Sequence, residues 1–402
     1  MTLNTKKRIW DLIHLVDVRN DNEKVSLLLW VTVEKKFIPS VANTIGTDMS
    51  NYKIIRKWQF ACSLMQVRRD KKIPVALLKD YDEAIVTSAY PVFEVNDENE
   101  ILPEYLMMWF SRKEFDRESC FYAVWWVRWS LEWEDFCNMK LPVPPITEQE
   151  SLIKEYNLVQ NKIEINTKII QKLEDTAKAV YKQRFVDYDF PNDEWKPYKS
   201  NGWKLVYCDD LEKYIPVWWE YKKLWSLCTC VLWWTPSRGI SEYWWWDVNR
   251  INSSKVNDIR IYSCSEKITQ LWLKSSATKL LPKNTVVLAI TWATLGQVSI
   301  LNIESWTNQS VIWILETDNM PTEFIYEMIV EHMRELMREQ TGWAQEHINK
   351  NDVESIKIAY PEPRIMQEYK RITKWLLDYV MNLWLQNYKL LEFQNILFQK
   401  LV

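Results

Sequence analysis

Glycine is nearly missing from this sequence. There are 5, where average usage near 7% would give roughly 28. The shortage removes the residue that supplies left-handed backbone and phosphate-cradling turns. No GxxxxGK[ST] phosphate loop occurs, even when glycine is written for every tryptophan. Histidine is limited to His14, His332 and His347, scattered and outside any nucleophile arrangement. Seven cysteines include no CxxC pair, and the nearest two, Cys228 and Cys230, lack partners for a zinc site. Scattered thiols in odd number predict a reduced compartment. No signal segment and no long apolar run occur, which predicts a soluble cytoplasmic chain with no membrane partner. A basic excess is also absent: 51 Lys and Arg face 54 Asp and Glu, a net charge of −3. That excludes a globally basic protein but leaves local basic patches open.

Tryptophan, by contrast, stands at 25. Glycine and tryptophan together match the usual glycine count with a few true tryptophans added. Trp233–Trp234 and Trp244–Trp245–Trp246 sit beside turn-forming residues, where glycine has a physical rationale and a bulky ring has none. Most of these tryptophans are therefore expected to stand at glycine positions, as when a reassigned stop codon read as glycine in the source is translated as tryptophan.

The chain of 402 residues has length for two or three domains. Its clearest element is a heptad from Gln149 to Arg184. One series is Gln149, Tyr156, Ile163, Ile170, Ala177 and Arg184; the other is Leu152, Val159, Asn166, Leu173 and Val180. Such spacing leaves one seam to bury, with Asn166 placed to fix register. Pro144 and Pro145 block any helix entering from upstream, and Thr147 with Glu150 predicts a capping box. The helix would be roughly 55 Å long. A second long helix is predicted from Arg364 to Val402, with Tyr369, Ile372, Leu376, Tyr379, Leu383, Leu390, Phe393 and Leu397 as its seam.

Residues 1–143 read as a mixed α+β module. Strands are predicted at Val25–Val33, Gln59–Met65, Ile73–Leu78 and Ala84–Phe93, and helices at Leu102–Arg112 and Ser130–Asn138. Between two of those strands lies Arg68-Arg69-Asp70-Lys71-Lys72. Residues 144–190 form the central long helix, and 191–215 read as a linker. A second module covers 216–360, with strands at Thr285–Thr291, Gln297–Ile303 and Ser310–Leu315 and a helix at Thr322–Gln340; 361–402 is the distal long helix.

The two halves resemble each other. Arg8–Leu12 matches Lys223–Leu227, Trp125–Arg128 matches Gly342–Gln345, and Phe136, Lys140 and Pro144 fall on Val353, Lys357 and Pro361. Trp125 thus falls on a true glycine. Two modules, each followed by a long helix, predict antiparallel helix pairing and a pseudo-twofold dumbbell. That form suits a ligand with two separated half-sites, such as duplex DNA. The other reading open at this point is a non-DNA scaffold, a coiled coil presenting two α+β modules to protein partners.

The stretches LPVPPITEQESLI, QKLEDTAKAVYKQRFVDYDFPNDEWKPYKSNGWKLV, YIPVWWEYKKLWSL, LWWTPSRGISEYWWWDV and TWATLGQV resemble the specificity subunit of type I restriction–modification systems. The resemblance strengthens when Trp195, Trp203, Trp218, Trp225, Trp233, Trp234, Trp245, Trp246 and Trp292 are read as glycine, with Trp133, Trp219 and Trp244 kept. It implies an α+β fold with two target-recognition domains and two long antiparallel coiled-coil helices. It further implies a non-catalytic chain that reads bipartite double-stranded DNA and docks two modification (methyltransferase) subunits, with or without restriction subunits. S-adenosylmethionine, ATP and Mg would sit on those partners and no cofactor on this chain. Consistently, no Asn/Asp-Pro-Pro-aromatic motif of an amino-methyltransferase is present.

Reading base edges needs forked donors or paired donor–acceptor groups. The candidates are Arg68, Arg69, Lys71, Lys72 and Arg128 in the first module, and Arg238, Arg250, Asn252, Ser253, Lys255, Asn308, Gln309 and Gln345 in the second. All were chosen from loops flanked by turn residues. Helix pairing is assigned to Tyr156, Val159, Ile163, Asn166, Ile170, Leu173, Leu376, Leu383, Leu390 and Leu397. No metal site is expected.

Overall fold

A computed structural model describes residues 6–21, 23–41, 48–65, 67–123, 130–191, 196–232, 244–264, 266–269, 280–291, 294–339 and 348–401. The chain divides into two compact units, Met1–Thr167 with Trp384–Val402, and Lys168–Leu383.

In the first unit an antiparallel sheet runs in the order Ile13–Val16, Val92–Val95, Phe60–Cys62, Val75–Leu77. Apolar side chains from these strands meet the helices Pro103–Phe110, Lys113–Tyr122 and Trp133–Asn138. The centre is aromatic: Phe60 stacks on Phe93 at 5.0 Å, and Phe110, Phe115 and Phe136 close around them. Each fully buried phenylalanine contributes roughly 2–3 kcal/mol by leaving water. The predicted strand Ala84–Phe93 is two strands, Glu83–Val86 and Val92–Val95, broken by the turn in which Tyr90 N–H donates to Thr87 O. Helix Lys113–Tyr122 went unanticipated because only Phe115, Asp116 and Ser119 of its ten residues are buried.

The second unit holds a mixed five-stranded sheet and a three-stranded one. Val286–Ala289, Val298–Leu301 and Val311–Leu315 form the buried middle of the larger sheet. Helix Thr322–Glu339 lies against it. Both units share one closing device. Lys6–Arg8 pairs antiparallel with Lys140–Pro142 in the first, and Glu220–Lys223 with Lys357–Tyr360 in the second. Just after, Ile9 N–H donates to Met139 O at 2.9 Å, and Leu224 N–H to Ile356 O at 2.9 Å. These positions are the ones the sequence repeat aligns.

The central helix runs Ile146–Tyr181 and continues as a π-helical turn, Lys182–Val186; the distal helix runs Pro363–Gln399. Within the first unit their segments are antiparallel: Tyr156 packs on Phe398, Lys400 pairs with Glu155, and Asn166 meets Asn387. Within the second, Phe185 meets Tyr369 edge-on and Arg184 lies 3.8 Å from Glu368. In the central seam Leu152, Val159 and Asn166 are buried, and Tyr156, Ile163, Ile170 and Leu173 are half-buried. Asn166 Nδ2 donates to Asn387 Oδ1 at 2.8 Å. Leu376, Leu383 and Leu397 are buried in the distal helix and Leu390 is half-buried. Tyr379 and Phe393, expected in that seam, are exposed. The heptad instead passes through Thr373, Val380, Asn387, Gln394 and Leu401, three of them polar, which hid the true spacing from an apolar count.

Two further expectations change. The central helix begins at Ile146, so Thr147 lies in its first turn and Pro145 O accepts the first helical N–H groups. The buried amide of Gln149 then ties this end down, accepting from Leu102 N–H and donating to Glu100 O and Pro144 O. The segment expected as a linker is packed structure. Tyr198 is buried against Phe190, and Leu205–Cys208 forms an antiparallel hairpin with Lys213–Pro216. Half-buried Leu205, Val206 and Cys208, buried Ile215 and Pro216, and Tyr207 against Tyr214 hold it where apolar periodicity is weak.

The tryptophans separate physically. Trp219 is buried among Phe185, Tyr188 and Phe190, and Trp133 stacks on Phe136. Trp218 and Trp225 are exposed, whereas Trp203 leans on Tyr198. Trp195, Trp233, Trp234 and Trp292 lie outside the described residues, as do the side chains of Trp244, Trp245 and Trp246. Trp58, which composition did not single out, sits at φ +69° with its ring partly exposed. Left-handed backbone costs a bulky residue about 1–2 kcal/mol. Replacing Trp58 with glycine is expected to raise the melting temperature of the first unit by about 2–4 °C. Thermal denaturation checks this, and a fall would mean that ring packing outweighs the relieved strain.

Candidate nucleic-acid interface

In the first module the basic segment connects two neighbouring antiparallel strands, Phe60–Cys62 and Val75–Leu77. It is a one-turn helix, Val67–Asp70, rather than an open loop. Buried Val67 anchors it, its carbonyl accepting from Cys120 Sγ. Lys71, at φ +53°, turns the chain back toward the sheet. Arg68, Arg69, Lys71 and Lys72 are all exposed. Arg69 Nε donates to Asp70 at 2.7 Å, and that hydrogen bond holds the Asp70 carboxyl below its ordinary range. The run thus carries four cations and one carboxylate, the latter held by Arg69.

In the second module the candidates divide. Arg250 is not a loop residue. It lies in strand Trp244–Ile251, fully covered, ion-paired with Glu266 and over the ring of Trp306 at 5.9 Å. A guanidinium so enclosed supports the sheet. Asn252 precedes the short turn Ser253–Lys255; its Nδ2 donates to Glu266 and its Oδ1 accepts from Ser254 Oγ at 2.6 Å. Ser253 is half-buried and Lys255 exposed. Asn308 Oδ1 accepts from Ser310 N–H, and Gln309 is exposed beside it. Register brings these two groups together. Arg250 and Ile251 pair in parallel with Trp306 and Thr307, so Asn252 and Asn308 leave neighbouring strands at the same end. Sequence spacing could not show this, because the strands lie more than fifty residues apart. Arg128, Arg238 and Gln345 lie outside the described residues.

A further surface was missed. In the first unit Leu158 and Ile165 on the central helix and Leu385, Tyr388 and Ile396 on the distal helix are exposed. They stand off the heptad seam, and the available signal was apolar residues at non-seam positions. Among the described residues no group of three His, Cys, Asp or Glu side chains could hold a metal ion. Among them, no helix is long and apolar enough to cross a membrane. All seven cysteines are free thiols.

Residues 217–390 match the family model described as Type I restriction modification DNA specificity domain. The chain is 22% identical over 385 residues to the Type I restriction enzyme HindI specificity subunit of Haemophilus influenzae, covering 80% of this chain and 81% of that protein. It is 21% identical over 307 residues to the EcoR124I/EcoR124II specificity subunit of Escherichia coli, covering 74% and 68%. With the MjaIX specificity subunit of Methanocaldococcus jannaschii it shares 23% over 272 residues, 66% of this chain and 60% of that one. Its fold is that of the crystallised type I restriction–modification S subunit from M. genitalium, with a TM-score of 0.56 at 13% identity, over 100% of this chain and 98% of the other. The α+β modules, the long paired helices and these likenesses lead to one conclusion: residues 217–390 carry a type I restriction modification DNA specificity domain, on the fold of a type I restriction–modification S subunit.

Proposed function

We propose that the chain reads a bipartite duplex target, one half through each module, 1–143 and 216–360. In the first, Arg68, Arg69, Lys71 and Lys72 grip phosphates. In the second, Asn252, Ser253 and Lys255 with Asn308 and Gln309 meet the groove. The reading rests chiefly on the repeated closing strands, which make the two modules copies of one design. A repeated reader matches a repeated half-site. The exposed Leu158, Ile165, Leu385, Tyr388 and Ile396 form the docking face for a modification subunit. Two such subunits would bind, carrying S-adenosylmethionine and methylating adenine; a restriction subunit, where one joins, brings ATP- and Mg-dependent cleavage. The assembly works in the cytoplasm.

The test uses the complex of this chain with its modification subunits and follows duplex binding across salt concentrations. Each phosphate contact adds about 0.9 to the log–log salt slope. Replacing Arg68 and Arg69 together with alanine is expected to shrink that slope by about 2 and weaken binding roughly tenfold near 0.1 M salt. An unchanged slope would remove the basic segment from the interface.

A further inference from the structure

We infer that Asp116 is a positioning residue for DNA binding: its carboxylate fixes the exit of the basic segment and the tip of a neighbouring hairpin to one point on helix Lys113–Tyr122. The inference rests on the proposed role of Arg68–Lys72.

Asp116 is buried on the core side of its helix. Its Oδ1 accepts two hydrogen bonds, from Lys35 Nζ at 2.8 Å and from the backbone N–H of Ile73 at 3.1 Å. Ile73 is the first residue after the basic run and is wholly buried. Its N–H is therefore the last fixed point before Lys72, Lys71 and the two arginines reach solvent. Lys35 comes from the turn joining Leu29–Val31 to Phe37–Pro39, where Lys35 N–H donates to Thr32 O at 3.0 Å. That lysine adopts φ +62°, an uncommon conformation for a long side chain. Its ammonium is enclosed and also donates to Phe110 O. Without Asp116 the buried Ile73 N–H would lose this acceptor and the enclosed Lys35 ammonium its carboxylate partner, keeping the bond to Phe110 O. The hairpin turn and the basic segment would then be free to move independently.

Lys71 shows why position matters here. Its backbone also lies in the left-handed region, at φ +53°. The segment is bent into an unfavourable conformation between two anchors, the Val67 contact and the Ile73 bond. Releasing one anchor lets it relax, and cations that moved by a few ångströms would no longer meet successive phosphates.

Variants that delete the buried charges together separate positioning from ion-pair stability. In Lys35→Met/Asp116→Ala the acceptor for Ile73 N–H is lost. In the conservative Lys35→Met/Asp116→Asn the amide oxygen can still accept it. Each is combined with the modification subunits and titrated with a labelled duplex of about 40 base pairs of mixed sequence over a range of salt. The alanine double variant is expected to bind roughly tenfold more weakly, with a salt slope smaller by about 2, and the asparagine variant to recover most of both. A fold defect alone would lower the active fraction and leave the slope unchanged, so the slope is the decisive readout. Arg68→Ala/Arg69→Ala is measured alongside. If that variant lowers the slope and the Asp116→Ala one does not, the positioning role is overturned while the basic-segment reading survives. Equal losses in the alanine and asparagine variants also overturn it, because the effect would then follow charge instead of the Ile73 bond. If Arg68→Ala/Arg69→Ala leaves the slope intact, the reading fails and takes this inference with it.

Discussion

Replacing Arg250 with alanine should destabilise the second unit by about 2–3 kcal/mol, because removing one partner of a buried ion pair leaves the other uncompensated. The side chain of Arg250 is almost entirely enclosed, and Glu266 keeps about a third of its side-chain surface in water, which sets the figure at the low end. Glu266 also takes a bond from Asn252, so the loss spreads into the turn carrying Lys255. Denaturant unfolding measures the first effect. DNA titration of the remaining folded protein should show an unchanged salt slope, because the Arg250 guanidinium is enclosed. A reduced slope at full folding would return Arg250 to the interface and count against its structural role.

The second unit should also lose stability as the solution turns from mildly acidic to mildly alkaline. Burial pushes the Glu327 carboxyl up to about 7, Glu331 and Glu174 add repulsion, and Lys178 and Arg334 oppose it. It lines a cavity of about 240 Å³ with Glu174, Glu323, Arg260 and Tyr369. Burial raises Glu174 and Glu323 as well. A carboxyl raised in the folded state keeps a proton that the unfolded chain releases near 4.3–4.5. Its contribution is complete below that value and is lost as pH climbs through about 7. The loss should reach ~2–3 kcal/mol from Glu327 between pH about 5 and about 8. Glu327→Gln should flatten most of that decline and raise the melting temperature at pH 8. A wild-type profile that is already flat would mean that water reaches the carboxylate.

How far these features were legible from sequence depended on whether the physics was local. The central seam could be read because Leu152, Val159 and Leu173 recur at fixed steps and need no knowledge of their partner. The distal seam was misphased because Thr373, Asn387 and Gln394 are polar residues whose burial is satisfied by hydrogen bonding, such as Thr373 Oγ1 to Tyr369 O. Arg68–Lys72 was visible as a run of charge, but its short helix depends on Val67 finding a hydrophobic seat 53 residues away in sequence, beside Cys120. Arg250 was misplaced for the same reason: a cation flanked by turn-forming residues looks exposed until Glu266 and Trp306 arrive from distant strands. The meeting of Asn252 with Asn308 is a matter of register, which no single strand encodes.

The amide pair Asn166–Asn387 acts as a ratchet stop. If either helix slid by one heptad, Asn166 would face Val380 or Gln394, and Asn387 would face Val159 or Leu173. Three of those four meetings strand an amide against a hydrocarbon; for the buried Asn166 that costs about 1–3 kcal/mol, and for the half-buried Asn387 less. An insertion or deletion in one helix alone would therefore be rejected by the seam, even one of whole heptads that kept every leucine in phase. Length changes would be tolerated only when both helices change together, on the same side of this pair.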